Sequence, residues 1–451
     1  MPKGLIQWIT FAPLAYRLLS SSCHITTMVS LDKIAHLAAE CRFDSSGPAL
    51  GAALVGIDGG GIDAEKLRSL GEGTRHDVCA STYSPREKPL PGICHAFTQD
   101  GRCVSLFKTL FTNHCTHQCS YCINATSCSN KAKAFSYTPE ELARITHSLY
   151  RSNYIEGLFL SSGAGRDEDR ITEKMIETAR LLREKFAFRG YIHLKVLPGC
   201  SQAHIQEAAL LADRLSINLE AASPSHMNEI CSTKDYDNDI LQRQRYIQRI
   251  LNGSSTSTST SSRSRSGSGR SPSILPAGQT TQLIVGAAGE SDEEIFQRVI
   301  HEYREIGVKR AYYSAFSPQE GTSLESKAAQ PLWREHRLYQ MDWLYRIYHF
   351  RAEEISHAFN EEGFLGNADP KMAIAREFLD RPVDPNTATL PELLRVPGIG
   401  PKSARRIMAI RKSRPIGSKA DLSAIGIAVK RAAPFLKING WRDTTLEMWQ
   451  P

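Results

Sequence analysis

Six short apolar or β-branched runs, separated by stretches with helical spacing, constrain this chain more than any other feature. They occupy residues 104–111, 157–161, 191–197, 214–220, 281–286 and 311–316. Helical patterns cover 170–187, 201–212 and 236–251. Two more helices open with Thr138-Pro139-Glu140-Glu141 and Ser291-Asp292-Glu293-Glu294. Each sets a hydroxyl three residues before a Glu, so side chain and backbone cap one another, and Pro139 suits the first helical position. Strands alternating with helices predict a parallel sheet with helices outside, open or closed into a partial (β/α)6 barrel.

The strand faces are unequal. Ser216, Asn218 and Glu220 alternate with Leu215, Ile217 and Leu219, and His193 and Lys195 alternate with Ile192, Leu194 and Val196. A strand covered on both faces reads as a nearly continuous apolar run. The polar face predicts a wet, ligand-holding interior; a buried polar network or an edge strand is the alternative.

Directly after the first run stands Cys115-x-x-x-Cys119-x-x-Cys122. The chain has 11 cysteines in 451 residues. That odd count in a long chain speaks against a disulfide framework and for a reduced, cytoplasmic compartment. Zinc would need a fourth ligand such as His114, His117 or Cys128. Three thiolates alone suit a [4Fe–4S] cluster with one iron left open.

The C-terminal part has another character. From residue 381 onward, 13 Lys/Arg stand against 5 Asp/Glu, while the whole chain carries +7. The basic excess therefore sits in the tail, a polyanion-binding appendage on a near-neutral body. Residues 386–411 read NTATLPELLRVPGIGPKSARRIMAIR. Thr389 and Glu392 cap a short helix, and Pro397-Gly398-Ile399-Gly400 turns into a second. Unpaired N–H groups at the second helix start, beside Lys402, Arg405 and Arg406, make an anion site. This is the pattern of a helix-hairpin-helix, which grips a backbone phosphate without reading sequence. A weaker copy runs from Asp421 to Phe435, with Ala424 expected at the first hairpin glycine.

The cysteine triplet, with Tyr121 before its last member, resembles the radical S-adenosylmethionine (SAM) superfamily. Together with the hairpin tail and the phrases GICHAFTQDGRCVSL, NYIEGLFLSSG and TTQLIVGAAGESDEEI, the chain is similar over residues 92–440 to the DNA modification/repair radical SAM family. The resemblance implies an α/β fold: a partial (β/α)6 radical SAM barrel plus a small all-α helix-hairpin-helix domain. It implies a [4Fe–4S] cluster on Cys115, Cys119 and Cys122, with the amino and carboxylate groups of SAM on the open iron. One electron then yields methionine and a 5′-deoxyadenosyl radical, which takes hydrogen from a substrate.

By the same resemblance Ser161-Ser162-Gly163 stands where the superfamily has a Gly-Gly-Glu turn beside the SAM amino group. Asn218 and Glu220 would meet ribose or amino acid, and Val285, Gly286 and Tyr313 would flank adenine. Cys200 and Cys231, just beyond two strands, are candidates for returning a hydrogen atom. Gly398, Ile399, Gly400, Lys402, Ser403, Arg405 and Arg406 would hold DNA. Implied partners are DNA, a uracil-DNA-glycosylase-like protein, and a flavodoxin or ferredoxin reductant. Other readings are an RNA-modifying radical SAM enzyme, a non-catalytic cluster-bearing redox sensor on DNA, and a glycosylase/lyase built on Gly400-Pro401-Lys402-Ser403-Ala404 with Asp421.

The expected partition is an N-terminal extension (1–91), partly irregular, with the Gly-, Ser- and Pro-rich stretch 42–91 read as irregular structure; a barrel (92–330) with a disordered serine-rich insertion at 253–270; connecting helices (331–380), including one long helix at 332–359; and the basic double hairpin (381–451). Residues 1–27 hold an apolar run broken by Gln7 and Arg17, without a small-x-small cleavage site. They are expected to be dispensable and not to direct export, with Met28 a cleaner start. No run reaches the length of a membrane-spanning helix.

Overall fold

The computed structural model describes residues 64–72, 92–97, 103–130, 133–256, 274–379, 381–438 and 441–442. The expectations for residues 1–27 and for most of the serine-rich insertion lie outside these. Seven strands form one sheet in sequential order. They are β1 (Ile93–Phe97), β2 (Cys103–Leu110), β3 (Gly157–Ser161), β4 (Tyr191–Lys195), β5 (Arg214–Ser216), β6 (Gln279–Val285) and β7 (Arg310–Ala315). β1 pairs antiparallel with β2, and every later pair is parallel. This is the expected half-barrel, with one antiparallel strand added at its edge.

The helices are α1 (Ala64–Glu72), α2 (Pro139–Arg151), α3 (Glu168–Arg180), α4 (Gln202–Leu211), α5 (Pro224–Ile230), α6 (Gln242–Thr256), α7 (Asp292–His301), α8 (Leu332–Arg346), α9 (Ala352–Ile355) and α10 (Pro370–Phe378). In the tail follow α11 (Leu390–Arg395), α12 (Pro401–Ile410), α13 (Lys419–Ala424) and α14 (Val429–Ala432). The capping boxes at Thr138/Glu141, Ser291/Glu294 and Thr389/Glu392 are all formed.

Three expectations need correction. The stretch 42–91 is not wholly irregular: α1 buries Leu67 and Leu70, one helical turn apart, and its Lys66 Nζ lies 2.6 Å from Glu141 Oε2. The run 214–220 is a strand only as far as Ser216. Beyond it Thr281 replaces the ladder: its hydroxyl donates to Ile217 O at 2.8 Å and accepts from Leu219 N–H at 3.1 Å. Glu220 then turns with φ +64° and rejoins β6 by exchanging backbone bonds with Gln282 and Ile284. Lastly, the long helix 332–359 breaks after Arg346. Tyr348 N–H and Phe350 N–H bond back to Trp343 O and Leu344 O, with His349 at φ +55°.

Two large apolar cores and one small cluster, Cys94, Leu106 and Phe159, form among the described residues. The larger runs from α1 through the barrel helices and includes Leu338, Met341, Leu344, Phe350, Ile355 and Ile374. Residues 331–374 are thus part of the barrel's packing rather than a free connection. The smaller core, from Ala375 to Ile438, belongs to the hairpin tail.

Candidate active site and nucleic-acid interface

The cysteine triplet lies on the loop that leaves β2, at the C-terminal edge of the parallel strands. Backbone bonds fasten that loop to several neighbours. Thr116 N–H donates to Ala164 O (2.7 Å), Gly163 N–H to Thr112 O (2.7 Å), Ser120 N–H to Ile230 O (2.8 Å) and Ser129 N–H to Gly321 O (2.8 Å). Gly163 is needed for this approach: a Cβ there would lie 2.5 Å from His114 O. A glycine expected to meet SAM thus also seats the cysteine loop.

Cys115, Cys119 and Cys122 open into one cavity with Tyr121, Asn124, Ser161, Ser162, Gly163, Lys195, Asn218, Glu220, Lys234, Gln282 and Ser314. Asn218 Nδ2 donates to Glu220 Oε1 at 3.2 Å, and Lys234 Nζ lies 3.7 Å from the same oxygen. Sequence reasoning missed Lys234, because a lysine in a polar loop carries no spacing signal. Burial works against its charge, but the Cys119 sulfur and the Glu220 carboxylate hold its pKa well above the ordinary value. Burial also pushes the Cys122 thiol up to about 11.

Among the described residues, no three His, Cys, Asp or Glu side chains converge as a single-ion site would. The zinc reading therefore has no preformed tetrahedron behind it. His117 lines the same cavity: its Nδ1 meets Thr233 Oγ1 at 3.2 Å, its Nε2 lies 3.8 Å from Glu168 Oε1, and burial drives its pKa down to about 4. Three soft thiols around a cavity lined by Lys234, Glu220 and Asn218 fit a cluster with a zwitterionic ligand beside it.

Five proposed site residues are not among those lining the cavity. Val285 and Tyr313 are fully buried on the opposite strand faces, since Gln282, Ile284 and Ser314 take the inner one. Tyr313 exchanges backbone bonds with the Tyr339 hydroxyl at 3.0 Å. Gly286 turns at φ +81° against Gln330 and Arg334. The error is one of parity: successive side chains of a strand face opposite ways. Cys200 is buried, and burial raises its thiol to about 12. Cys231 is buried with its Sγ 3.2 Å from Cys119 Sγ.

The polar strand face divides between both readings. Lys195, Asn218, Glu220 and Gln282 line the cavity. Deeper in, His193 Nε2 meets Ser216 Oγ at 2.7 Å, and Phe159 packs edge-on against the imidazole. Burial keeps His193 neutral, well below its ordinary pKa. That pair is a satisfied polar network.

In the tail, Gly398 stands at φ +83°, and a Cβ there would lie 2.7 Å from Ala428 O. Ile399 is buried in the smaller core. The N–H groups of Gly398, Gly400, Lys402 and Ser403 have no acceptor among the described residues. Lys402 and Arg405 are exposed beside them. Ser403 Oγ and Arg406 Nη1 instead donate to Gly426 O (3.3 Å) and Ile425 O (3.0 Å), so they bind the second hairpin to the first. In that second hairpin the positive φ belongs to Gly426, at +86°. Gly426 is thus the counterpart of Gly398, and the missing glycine is at Ala428, not Ala424.

The hairpin unit is clamped to the barrel. Arg395 Nε and Nη2 donate to the two oxygens of Glu354 at 2.8 and 2.7 Å. Lys371 Nζ donates to Ile399 O at 2.6 Å and lies over the Tyr348 ring. Arg431 pairs with Asp369.

Residues 109–258 match the radical SAM superfamily, and residues 380–426 match the helix-hairpin-helix motif. This chain carries a radical SAM domain. That domain is the mark of SAM-dependent iron–sulfur enzymes, and it implies a [4Fe–4S] cluster and SAM. Among solved structures the chain is similar to HydG, a maturase of the [FeFe]-hydrogenase, at 10% identity and TM-score 0.37, over 53% of this chain and 49% of that one. It is also similar to methylornithine synthase (13%, TM-score 0.38, 68% and 71%) and to SuiB of Streptococcus suis (11%, TM-score 0.37, 62% and 53%). The chain spans about half the length of the HydG chain it matches. No curated protein matches it. Nothing in these likenesses supports the glycosylase-like partner or the flavodoxin or ferredoxin donor. No helix among the described residues is long and apolar enough to cross a membrane.

Proposed function

We propose that this chain is a radical SAM enzyme that modifies or repairs DNA, its hairpin tail holding the duplex. One observation carries the reading: a three-thiol cavity and a hairpin with four unsatisfied N–H groups are clamped to one body through Arg395 and Glu354. Cys115, Cys119 and Cys122 would hold the cluster. When bound, cluster and SAM supply a carbon-centred radical that abstracts hydrogen. Lys234, charged and buried, faces the cavity where the SAM carboxylate needs a cation. Glu220 and Asn218 offer an acceptor and a donor for amino or hydroxyl groups. Leu110, Ile217, Ile284 and Phe316 supply an apolar part of the lining.

The hairpin's N–H groups, with Lys402 and Arg405, take a backbone phosphate without reading bases. A base inside a duplex cannot enter the cavity, so local extrusion is required, costing a few kcal/mol. The test is anaerobic incubation of reconstituted full-length protein with labelled SAM and defined duplexes, followed by nucleoside mass spectrometry. Label or a mass change in a DNA nucleoside is the expected result. SAM cleavage that no DNA stimulates, with RNA modified instead, overturns the reading in favour of RNA.

A further inference from the structure

Cys119 and Cys231 are 112 residues apart in the chain, yet their sulfurs lie 3.2 Å from each other. A disulfide bond is about 2.05 Å long, so the two sulfurs need to approach by roughly 1 Å to close one. The backbone holds them in register. Ser120, next to Cys119, donates from its N–H and its Oγ to the carbonyl of Ile230, next to Cys231, at 2.8 and 3.0 Å. Cys231 N–H is fixed in turn on Met227 O at 2.7 Å. Other thiols are engaged differently. Cys122 Sγ accepts from Asn124 N–H at 3.4 Å, and Cys200 Sγ points to the backbone oxygen of Ser201 at 3.6 Å.

The two sulfurs differ in access. Cys119 lines the cavity, whereas Cys231 is 1% exposed and is not among the lining residues. A small oxidant that enters the cavity therefore meets Cys119 first, with Cys231 directly behind it. This is the arrangement of an attacked cysteine and a resolving one. The reaction proposed above makes no use of Cys231.

We propose that Cys231 is a resolving cysteine, and that hydrogen peroxide closes a reversible Cys119–Cys231 disulfide that keeps the cluster from loading. The proposal rests on the reading of Cys119 as a cluster ligand. Peroxide gives one oxygen to Cys119: the O–O bond breaks, the thiol becomes a sulfenic acid and one water leaves. The Cys231 sulfur then attacks the sulfenic sulfur. The S–S bond forms, the S–O bond breaks, and the hydroxyl leaves as a second water with the proton of Cys231. Two thiols have lost two electrons, and the peroxide has gained both. A thiol reductant reopens the bond by exchange. While it is closed, one of the three thiolates is missing. Closure also stops Cys119 from passing on to sulfinic and sulfonic acids, which thiols do not reverse.

The test uses the full-length chain, stripped of iron anaerobically with a chelator and treated with an equivalent of hydrogen peroxide. Tandem mass spectrometry without reduction should find Cys119 joined to Cys231. Iron and sulfide added next should give little cluster; added after dithiothreitol, they should give about four irons per chain. Cys231→Ser kept from peroxide should load as the wild type does. After peroxide and dithiothreitol it should load several-fold less than the wild type, with Cys119 present as sulfinic or sulfonic acid. A link within the triplet, or no link, overturns the switch and leaves the cluster reading standing. Full loading of the peroxide-treated wild type before reduction also overturns it. The wild-type linkage needs no variant, so it decides the case if Cys231→Ser does not fold. If Cys119→Ala loads iron as the wild type does, the cluster reading falls and the switch with it.

Discussion

The Cys231 sulfur lies 3.2 Å behind that of Cys119, accepting its S–H. That bond, with Lys234 nearby, pulls Cys231 down to about 6 although burial opposes it. Cys231 is not among the cavity-lining residues. It backs the triplet rather than extending it, and it does not face a substrate.

Cys231→Ser should therefore leave about four irons per chain after anaerobic reconstitution, because the three liganding thiols remain. Cys119→Ala should lose the cluster. Iron and sulfide analysis with the visible absorption spectrum reads both. Loss of iron from Cys231→Ser equal to that from Cys119→Ala would make Cys231 a ligand.

Lys234→Met should weaken SAM binding roughly tenfold or more, the range of one charge-assisted hydrogen bond. DNA affinity should not move, since Lys234 is in the barrel cavity. Equilibrium dialysis with labelled SAM measures the first, anisotropy the second. Unchanged SAM affinity would remove Lys234 from the site.

Glu354 is 2% exposed and bound by two Arg395 nitrogens. Glu354→Gln should lower stability by about 3 kcal/mol, as breaking a buried ion pair does. It should also loosen the hairpin unit, seen as faster proteolysis between the two cores. The isolated hairpin geometry is untouched, so DNA affinity should hold. A melting curve and proteolysis rate equal to wild type would show the clamp to be idle.

Lys371 has its pKa lowered to about 7, chiefly by burial; Arg431 and Arg395 add to this and Asp369 opposes it. An unfolded lysine still binds its proton up to about pH 10.4. Between these values the unfolded chain holds more protons than the folded one, so stability rises with pH from about 7 towards 10. Lys371→Met should flatten that rise in denaturant melts. A parallel rise in wild type and variant would mean that Lys371 stays charged when buried.

Much was legible locally. The triplet spacing, the capping boxes and Pro397-Gly398-Ile399-Gly400 are short-range features whose physics is complete within a few residues. The alternation of runs and helices was enough for the parallel half-barrel. β1 escaped because five residues of mixed character form a strand only when β2 is there to pair with. Val285 and Tyr313, expected beside adenine by resemblance, turn away from the cavity, and periodicity could not have shown this, since it states that two faces exist and not which one points inward.

The sequence by itself determined the chemistry available: three thiols on one loop, the pattern of a phosphate-gripping hairpin, and a net basic excess in the tail. The tertiary structure alone decided which side chains share space. It turned Glu220 into the cavity through a left-handed residue, brought Lys234 to within 3.7 Å of it, and set Cys231 behind Cys119. It also spent Ser403 and Arg406 on the second hairpin. These contacts join residues distant along the chain, and their energies depend on burial and mutual approach, which exist only once the strands have closed into the half-barrel.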